Sequence, residues 1–278
     1  IQIDLMDVYA VARVMEGVKQ VYHCAAIVSF DSAKRDQLIY ENEQITAHIV
    51  DEAIAEGIDK MVMVSSIAAL GRVGAETGKP IDENTHWEDS KNNTAYAISK
   101  YRSEMEVWRG MAEGLNVAIV NPGIILGEGD FSKGSAQLMT NVAKEFPYYT
   151  KGVNGYVDVK DVVKAMLLLM DSDISGERYV LVEGNHSYQD LFTTMAKALG
   201  VKPPTKFAQP WMAEVVWRLD YLKSKLTGKH PLITKETART AQSKSYYNNE
   251  KFLKAFPEFS YTPLEITIKR IAEAYKKQ

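Results

Sequence analysis

Met61-Val-Met-Val-Ser-Ser66 is an apolar run that ends in two serines, and it predicts a buried β-strand. Two similar runs, Val21-Tyr-His-Cys-Ala-Ala26 and Val117-Ala-Ile-Val120, lie before and after it in the chain. Residues 39–57 and 94–114, between these runs, are predicted to be helices. Strand, helix, strand, helix, strand at this rhythm predicts an α/β fold with a doubly wound parallel sheet.

Composition argues against several classes of function. The chain has 278 residues, a net charge of −3 and a pI near 6.0, so no basic excess indicates binding to nucleic acid or an anionic membrane. The longest apolar stretch, Ala165-Met-Leu-Leu-Leu-Met170, is too short to cross a bilayer. The single cysteine, Cys24, fits a cytoplasmic protein without disulfides, and we expect it to be buried and structural. Five histidines without metal-ligand spacing predict no metal site.

Tyr96-Ala-Ile-Ser-Lys100 follows the serine-bearing strand by thirty residues and lies at the start of a predicted helix. A tyrosine and a lysine four residues apart on a helix lie on one face. An unperturbed phenol has a pKa of ~10, and a nearby ammonium group lowers it. The pair could therefore donate a proton to a carbonyl oxygen, or remove one from an alcohol.

A serine at the end of the strand could hold the substrate oxygen beside this tyrosine. Ser65 and Ser66 are the two candidates. Strand alternation turns them to opposite sides, so only one can face the cleft, and we favour Ser66.

Three further Tyr-x-x-x-Lys matches occur in the chain: Tyr156/Lys160, Tyr221/Lys225 and Tyr247/Lys251. None follows a serine-bearing strand, and a packed ring beside a solvated lysine is the ordinary reason for this spacing. The first match crosses the start of a predicted helix, where Asp158 is expected to be the cap. Tyr96 and Lys100 are therefore the predicted site.

Seven segments occur together in the order and spacing of one protein family. They are Asp4-Leu5, Val21-Tyr-His-Cys-Ala-Ala26, Val64-Ser-Ser-Ile-Ala-Ala-Leu-Gly71, Pro80-Ile-Asp-Glu-Asn-Thr85, Tyr96-Ala-Ile-Ser-Lys100, Asn121-Pro-Gly-Ile-Ile-Leu-Gly127 and Tyr156-Val-Asp-Val-Lys-Asp-Val162. In these segments the chain resembles the extended short-chain dehydrogenase/reductases, the group of NAD-dependent epimerases and dehydratases. Within this group it is most similar to the dihydroflavonol-reductase-like branch.

The resemblance implies a role for each matching position. Ser66, Tyr96 and Lys100 match the catalytic triad, in which the lysine also hydrogen-bonds the cofactor ribose. The positions that match contacts with the dinucleotide are Asp4 and Leu5 at the adenine, Ala25 and Ala26 at a strand end, Ser65, Tyr96 and Lys100, and Pro122, Gly123 and Ile124 beside the nicotinamide.

The resemblance also implies a division into two domains. Residues 1–126 and 156–184 are expected to form a Rossmann-like, dinucleotide-binding domain. Residues 127–155 and 185–278 are expected to form a smaller, mostly helical substrate domain. The family's glycine-rich turn, which binds the pyrophosphate, is expected before Ile1, so we interpret the chain as N-terminally truncated.

Cofactor choice, substrate contacts and assembly are less directly encoded. The segment that separates NAD from NADP is the one expected before Ile1, and the reductase branch favours NADP. The helices that hold Ile45 and Tyr96 commonly form a dimer face in the family, which implies a homodimer. The aromatic candidates for a substrate pocket are Trp87, Phe131, Tyr148, Tyr149 and Trp211, of which we favour Phe131 and Tyr149.

The leading hypothesis is an NAD(P)-dependent oxidoreductase that reduces a ketone or aldehyde, or oxidises the matching alcohol. A nucleotide-sugar epimerase or dehydratase is the alternative among enzymes, although the chain lacks an obvious arginine cluster for a diphosphate. A non-catalytic cofactor-binding protein, or an inactive fragment, is the alternative from another class.

Overall fold

The computed structural model describes residues 1–28, 34–72, 78–90, 93–212, 214–218 and 235–278. The Tyr221/Lys225 pair lies outside the described residues. The chain forms two compact units. The first unit holds residues 1–73, 82–122 and 162–181, and the second holds residues 74–81, 123–161 and 182–278.

Strands and helices alternate through the first part of the chain, as the apolar runs predict. The strands are β1 (Gln20–His23), β2 (Lys60–Val64), β3 (Val117–Pro122), β4 (Ile124–Leu126), β5 (Tyr148–Tyr149), β6 (Val153–Asp158), β7 (Glu177–Leu181), β8 (Gly184–Ser187) and β9 (Lys206–Phe207). The helices are α1 (Val8–Met15), α2 (Arg35–Ala55), α3 (Ala95–Ala112), α4 (Gln137–Ala143), α5 (Val159–Met170), α6 (Tyr188–Leu199), α7 (Lys235–Thr240), α8 (Glu250–Ala255) and α9 (Leu264–Tyr275).

The first unit is built on a parallel sheet with the strand order β1-β2-β3-β7. Every residue of β3, and every residue of β2 except Val64, is buried, which explains why these strands show no polar alternation. Apolar side chains from α1, α2 and α3 pack with this sheet in one hydrophobic cluster. The predicted parallel α/β sheet is confirmed.

Two strand ends differ from the sequence prediction. Strand β2 ends at Val64 rather than at Ser66, because Ser66 caps a short 3-10 helix, Ile67–Ala69. Strand β3 extends beyond the predicted run 117–120, since Asn121 and Pro122 stay paired with β7. A proline is tolerated there because it is the last residue of the strand.

The second unit contains a small mixed sheet and several helices. In this sheet β4 and β6 are parallel, and β6 and β8 are antiparallel. Strands β5 and β9 form a separate parallel pair. Residues 127–155, expected to belong to a mostly helical domain, therefore also contain β5 and the start of β6. Side chains from β4, β6, α4, α6 and α9 form the apolar core of this unit.

Among the residues that the structure describes, no helix combines the length and apolar character needed to cross a membrane.

Candidate active site

Helix α3 positions the predicted tyrosine and lysine. The helix begins after Thr94, whose side-chain oxygen accepts a hydrogen bond from the Ala97 N–H at 3.0 Å. Tyr96 lies in the first turn and Lys100 in the next, so the two side chains share one face of the helix. Tyr96 is half-buried, while Lys100 is only 4% exposed.

Ser66 is the serine that the structure brings to Tyr96. The Ser66 hydroxyl lies close enough to Tyr96 to lower the pKa of its phenol, and the Ser66 hydroxyl oxygen accepts a hydrogen bond from the Ala68 N–H at 3.1 Å. Ser65 is 3% exposed, and its hydroxyl has no hydrogen-bond partner among the described residues. The preference for Ser66 over Ser65 as the neighbour of Tyr96 therefore agrees with the geometry.

Burial perturbs both titratable groups of the pair. Desolvation lowers the pKa of Lys100 to about 8, although the charges of Glu104 and Cys24 act in the opposite direction. The Lys100 ammonium donates a hydrogen bond to the Val64 carbonyl at 3.0 Å, at the end of β2. Burial raises the pKa of Tyr96, and the Ser66 hydroxyl lowers it. A buried lysine with a lowered pKa on the same helix face as a phenol can support proton transfer.

The residues that follow β1 lie near Lys100. Cys24 and Ala25 are exposed and Ala26 is half-buried. The prediction that Cys24 is buried was wrong, because β1 ends at His23 and the cysteine lies beyond the last paired residue, at an edge of the described sheet. Its thiol lies close enough to Lys100 for the ammonium to lower the thiol pKa, which burial raises.

Asn42 fixes the backbone beyond this strand end. Its side-chain oxygen accepts a hydrogen bond from the Ile27 N–H at 2.7 Å, and its amide donates to the Ile27 carbonyl at 2.9 Å. The same amide lies 3.1 Å from the Ser99 hydroxyl on α3. Asn42 is 2% exposed, so a buried amide on α2 connects the segment after Ala26 to α3.

His48 supports the segment predicted to contact the adenine. Its imidazole Nδ1 donates a hydrogen bond to the Leu5 carbonyl at 3.1 Å. The Asp4 carboxylate accepts a hydrogen bond from the Met6 N–H at 2.9 Å, and its side chain is exposed. His48 therefore holds the backbone of this segment against α2.

The remaining predicted site residues lie in several places. Pro122 is buried at the end of β3 in the first unit. Gly123 and Ile124 belong to the second unit, where a Cβ on Gly123 would collide with the Gly155 carbonyl group. Phe131 is 6% exposed and packs edge-on against another ring of the second unit's core, so little of its surface is free for a substrate. Tyr149 is half-buried in β5.

Trp87, another aromatic candidate, stacks on the Tyr101 ring with centroids 4.4 Å apart. Both rings line a cleft of about 390 Å³ in the first unit. Tyr101 lies on a different face of α3 from Tyr96 and Lys100, and none of the catalytic candidates lines this cleft. The cleft is therefore separate from the site.

Sequence reasoning missed a buried polar group beside the pair. Glu104 is fully buried on α3 and contacts Asn121 and Arg178 from two neighbouring strands. A signal for it was available, because Glu104 continues the spacing of Tyr96 and Lys100 by one more helical turn. No such signal exists for Arg178, which is 74 residues further along the chain.

The site fits a nicotinamide dinucleotide. The end of β1 presents small, accessible side chains at Ala25 and Ala26, which a flat ligand can approach closely. The Lys100 ammonium and the Tyr96 hydroxyl supply hydrogen-bond donors of the kind that ribose hydroxyls accept. In the parts of the chain that the structure describes, no cluster of His, Cys, Asp and Glu side chains could hold a metal ion.

A parallel sheet with a Ser–Tyr–Lys group at the ends of its strands defines a Rossmann-like protein of the short-chain dehydrogenase/reductase type. The model of the NAD dependent epimerase/dehydratase family matches residues 1–181. The chain belongs to this family.

Curated relatives include reductases. Sterol demethylase protein B of Methylococcus capsulatus is 34% identical over 190 residues, which cover 66% of this chain and 55% of that protein. A protein of Synechocystis sp. assigned as a dihydroflavonol 4-reductase is 26% identical over 244 residues, 85% of this chain and 70% of that protein. Cinnamoyl-CoA reductase 1 of Petunia hybrida is 24% identical over 212 residues, 73% of this chain and 63% of that protein. The match thus spans little more than half of the first of these relatives.

Solved structures share the fold. The crystal structure of gox2253 has a TM-score of 0.80 and 27% identity, and the match covers 99% of this chain and 83% of that one. RMD from Pseudomonas aeruginosa, solved in complex with NADPH, has a TM-score of 0.76 and 17% identity, over 100% of this chain and 88% of that one.

Proposed function

We propose that the chain is an NAD(P)-dependent oxidoreductase that reduces a ketone or aldehyde, or oxidises the matching alcohol. The observation that carries this proposal is the proximity of the Ser66 hydroxyl to Tyr96, with the buried Lys100 one helical turn away. The reductases among the curated relatives support the carbonyl chemistry.

In this proposal each residue has one task. Ser66 donates a hydrogen bond to the substrate oxygen and orients it toward Tyr96. The Tyr96 hydroxyl gives its proton to the carbonyl oxygen during reduction, and takes it back during alcohol oxidation. Lys100 contacts the ribose hydroxyls, and its ammonium charge stabilises the Tyr96 phenolate. A bound nicotinamide supplies or accepts the hydride.

The residues of the first unit proposed to hold the dinucleotide are Asp4, Leu5, Ala25, Ala26, Ser65, Tyr96, Lys100 and Pro122. The resemblance to the reductase branch favours NADP over NAD, and the structural relatives include a complex with NADPH and complexes with NAD. For the substrate oxygen we retain Ser66 and Tyr96.

Nucleotide-sugar epimerisation or dehydration is the second candidate, because the family description includes both reactions. Such substrates carry a diphosphate, which arginine side chains ordinarily bind. Arg178 and Arg270 are instead engaged in ion pairs with Glu104 and Asp158, two carboxylates that are almost fully buried. This engagement favours the carbonyl substrate.

A screen of carbonyl compounds, followed by the absorbance of NADPH and NADH, tests the proposal. We expect turnover of at least one aldehyde or ketone, and its loss in Tyr96→Phe. Full activity of Tyr96→Phe would contradict the catalytic assignment. Conversion of a nucleotide sugar without net dinucleotide oxidation would support the second candidate, and tight dinucleotide binding without any turnover would support a non-catalytic protein.

A homodimer through α2 and α3 is part of the proposal. Tyr40 on α2 is 57% exposed, and Met105 and Met111 on α3 are 38% and 37% exposed, so both helices present apolar surface. Light scattering should give twice the monomer mass, and Tyr40→Glu should lower it.

A further inference from the structure

Glu104 is a fully buried carboxylate one helical turn beyond Lys100 on α3. One of its oxygens accepts a hydrogen bond from the Asn121 side-chain amide at 2.5 Å, and the other accepts one from the Arg178 guanidinium at 3.0 Å. A buried carboxylate is costly unless it is paired and hydrogen-bonded, and here both conditions are met.

Asn121 connects this carboxylate to the serine of the site. The amide group that donates to Glu104 also donates to the Ser66 backbone carbonyl at 3.0 Å. The Ser66 hydroxyl is in turn the neighbour of Tyr96. Hydrogen bonds therefore run from Glu104 through Asn121 to the backbone of Ser66, the residue whose side chain lies beside the proposed catalytic tyrosine.

Arg178 is itself held in place from the other side. Its guanidinium donates two hydrogen bonds to the Glu83 backbone carbonyl, at 2.6 and 3.1 Å. The Glu83 carboxylate accepts a hydrogen bond from the Val180 N–H at 2.7 Å, which anchors this segment to β7. Hydrogen bonds therefore hold Glu104 in place, and its partner Arg178 is held in place as well.

We propose that Glu104 is a positioning residue of the active site, which fixes Ser66 through Asn121 and places a buried negative charge one helical turn from Lys100. This inference rests on the proposed function for its catalytic meaning. The effect of the Glu104 charge on Lys100 involves only side chains of this protein, so it can be tested without a substrate.

The charge matters because burial disfavours the ammonium form of Lys100. Burial lowers the pKa of Lys100 to about 8, and the Glu104 charge is the larger of the two effects that oppose this shift. Without Glu104 the lysine would lose its proton at a lower pH. Tyr96 would then lack the neighbouring positive charge that stabilises its phenolate.

The other titratable groups around Lys100 do not replace this charge. Cys24, beyond β1, opposes the effect of burial on Lys100 more weakly than Glu104 does. His23, on β1, is neutral at neutral pH, because burial and the Lys100 charge lower its pKa to about 3. Tyr96 is neutral there too, since burial raises its pKa. Arg178, on β7, is paired with Glu104 itself.

Cys24 gives a direct readout of the charge on Lys100. It is the single cysteine of the chain and it is exposed; partial burial raises the pKa of its thiol, and the Lys100 ammonium acts in the opposite direction. Only the thiolate reacts with iodoacetamide, so the alkylation rate reports that pKa. We expect Glu104→Gln to slow alkylation at pH 8 by about threefold or more, and Lys100→Met to slow it as much, since one pKa unit is a tenfold change in thiolate.

Glu106→Gln is the matched control. Glu106 lies two residues further along α3 and pairs with Arg109, whose side chain is 36% exposed. The substitution removes the same charge from the same helix, and the alkylation rate should stay that of wild type. Equal rates in wild type and Glu104→Gln would overturn the proposal.

A folding control is needed because Glu104→Gln removes the buried carboxylate that forms an ion pair with Arg178. Thermal unfolding identifies a variant that does not fold. In that case the double substitution Glu104→Gln/Arg178→Met removes both charges, and we expect it to fold and to show the same slow alkylation. A wild-type alkylation rate in the folded double variant would also overturn the proposal.

Kinetics supply the second readout. With a substrate from the carbonyl screen, the alkaline limb of kcat/KM for reduction should move to lower pH in Glu104→Gln, and Glu104→Asp should move it back. A merely structural role would lower the rate equally at all pH values. If Glu104→Gln slows the alkylation of Cys24 but the protein turns over no substrate, the electrostatic role of Glu104 stands and the proposed oxidoreductase function is rejected. If turnover depends on Tyr96 but Glu104→Gln changes neither the alkaline limb of kcat/KM nor the alkylation rate of Cys24, only the role of Glu104 is rejected.

Discussion

Tyr96/Lys100 and Tyr156/Lys160 have the same spacing in the sequence and opposite surroundings in the structure. The first pair lies on one helix, with Lys100 only 4% exposed. In the second pair Tyr156 is a fully buried residue of β6, while Lys160 is exposed in the first turn of α5. The spacing brings two side chains to one face only when a single helix carries both.

Asp158, between the members of the second pair, explains what that region does instead. Its carboxylate accepts hydrogen bonds from the Lys160 N–H at 2.8 Å and from the Thr267 hydroxyl at 2.7 Å. Arg270 on α9 completes the arrangement with an ion pair at 2.6 Å. The buried carboxylate of this region holds two helices to a strand, whereas Glu104 adjoins the catalytic candidates.

The strongest test of the comparison exchanges the two tyrosines for phenylalanine. Tyr96→Phe removes the proposed acid/base and should lower kcat by about 10² to 10⁴-fold. Tyr156→Phe keeps the buried ring and should leave kcat near that of wild type. Initial rates with the substrate from the carbonyl screen measure both. Similar losses in the two variants would remove the distinction between the pairs.

Asp158→Ala should affect stability rather than chemistry. It leaves the Arg270 charge without its buried partner, and the free energy of unfolding should fall by about 3–5 kcal/mol. Urea denaturation measures this change. The control is Lys160→Met, which should stay within about 0.5 kcal/mol of wild type because the lysine is exposed. A folded Asp158→Ala protein with greatly reduced kcat would assign catalysis to the second region.

The two lysines should differ in their effect on rate. Lys100→Met removes the charge that stabilises the Tyr96 phenolate and should lower kcat/KM on the order of 100-fold. Lys160→Met should not change it. Steady-state kinetics at pH 7 decide the matter, and a Lys100→Met enzyme with wild-type kcat/KM would show that the buried ammonium is dispensable.

The pH dependence of stability should also separate the lysines. The pKa of Lys100 is lowered from 10.5 to about 8 in the folded protein, so between these values the unfolded chain binds more protons. The free energy of unfolding of wild type should therefore rise with pH, relative to Lys100→Met, by about 2 kcal/mol between pH 8 and 9.5. Urea denaturation at these pH values gives the free energy of unfolding of wild type relative to each variant. Relative to Lys160→Met, this difference should not change with pH. A flat difference for Lys100→Met would contradict the lowered pKa.

The sheet could be predicted from sequence because buried parallel strands are continuous apolar runs, as Met61-Val-Met-Val-Ser-Ser66 is. The exposure of Cys24 could not be predicted from sequence, because burial at a strand end depends on neighbours that are distant in sequence. Arg178 could not be predicted for the same reason, as its partner Glu104 is 74 residues away.

The central claim is that a nicotinamide dinucleotide binds at the end of β1 beside Lys100. Cys24 lies at that strand end and is the single thiol of the chain. Its alkylation by iodoacetamide should therefore be measured with and without millimolar NADPH or NADH. We predict that at least one dinucleotide slows alkylation in wild type and in Lys160→Met, and protects less in Lys100→Met. Alkylation at an unchanged rate with both dinucleotides would contradict the claim.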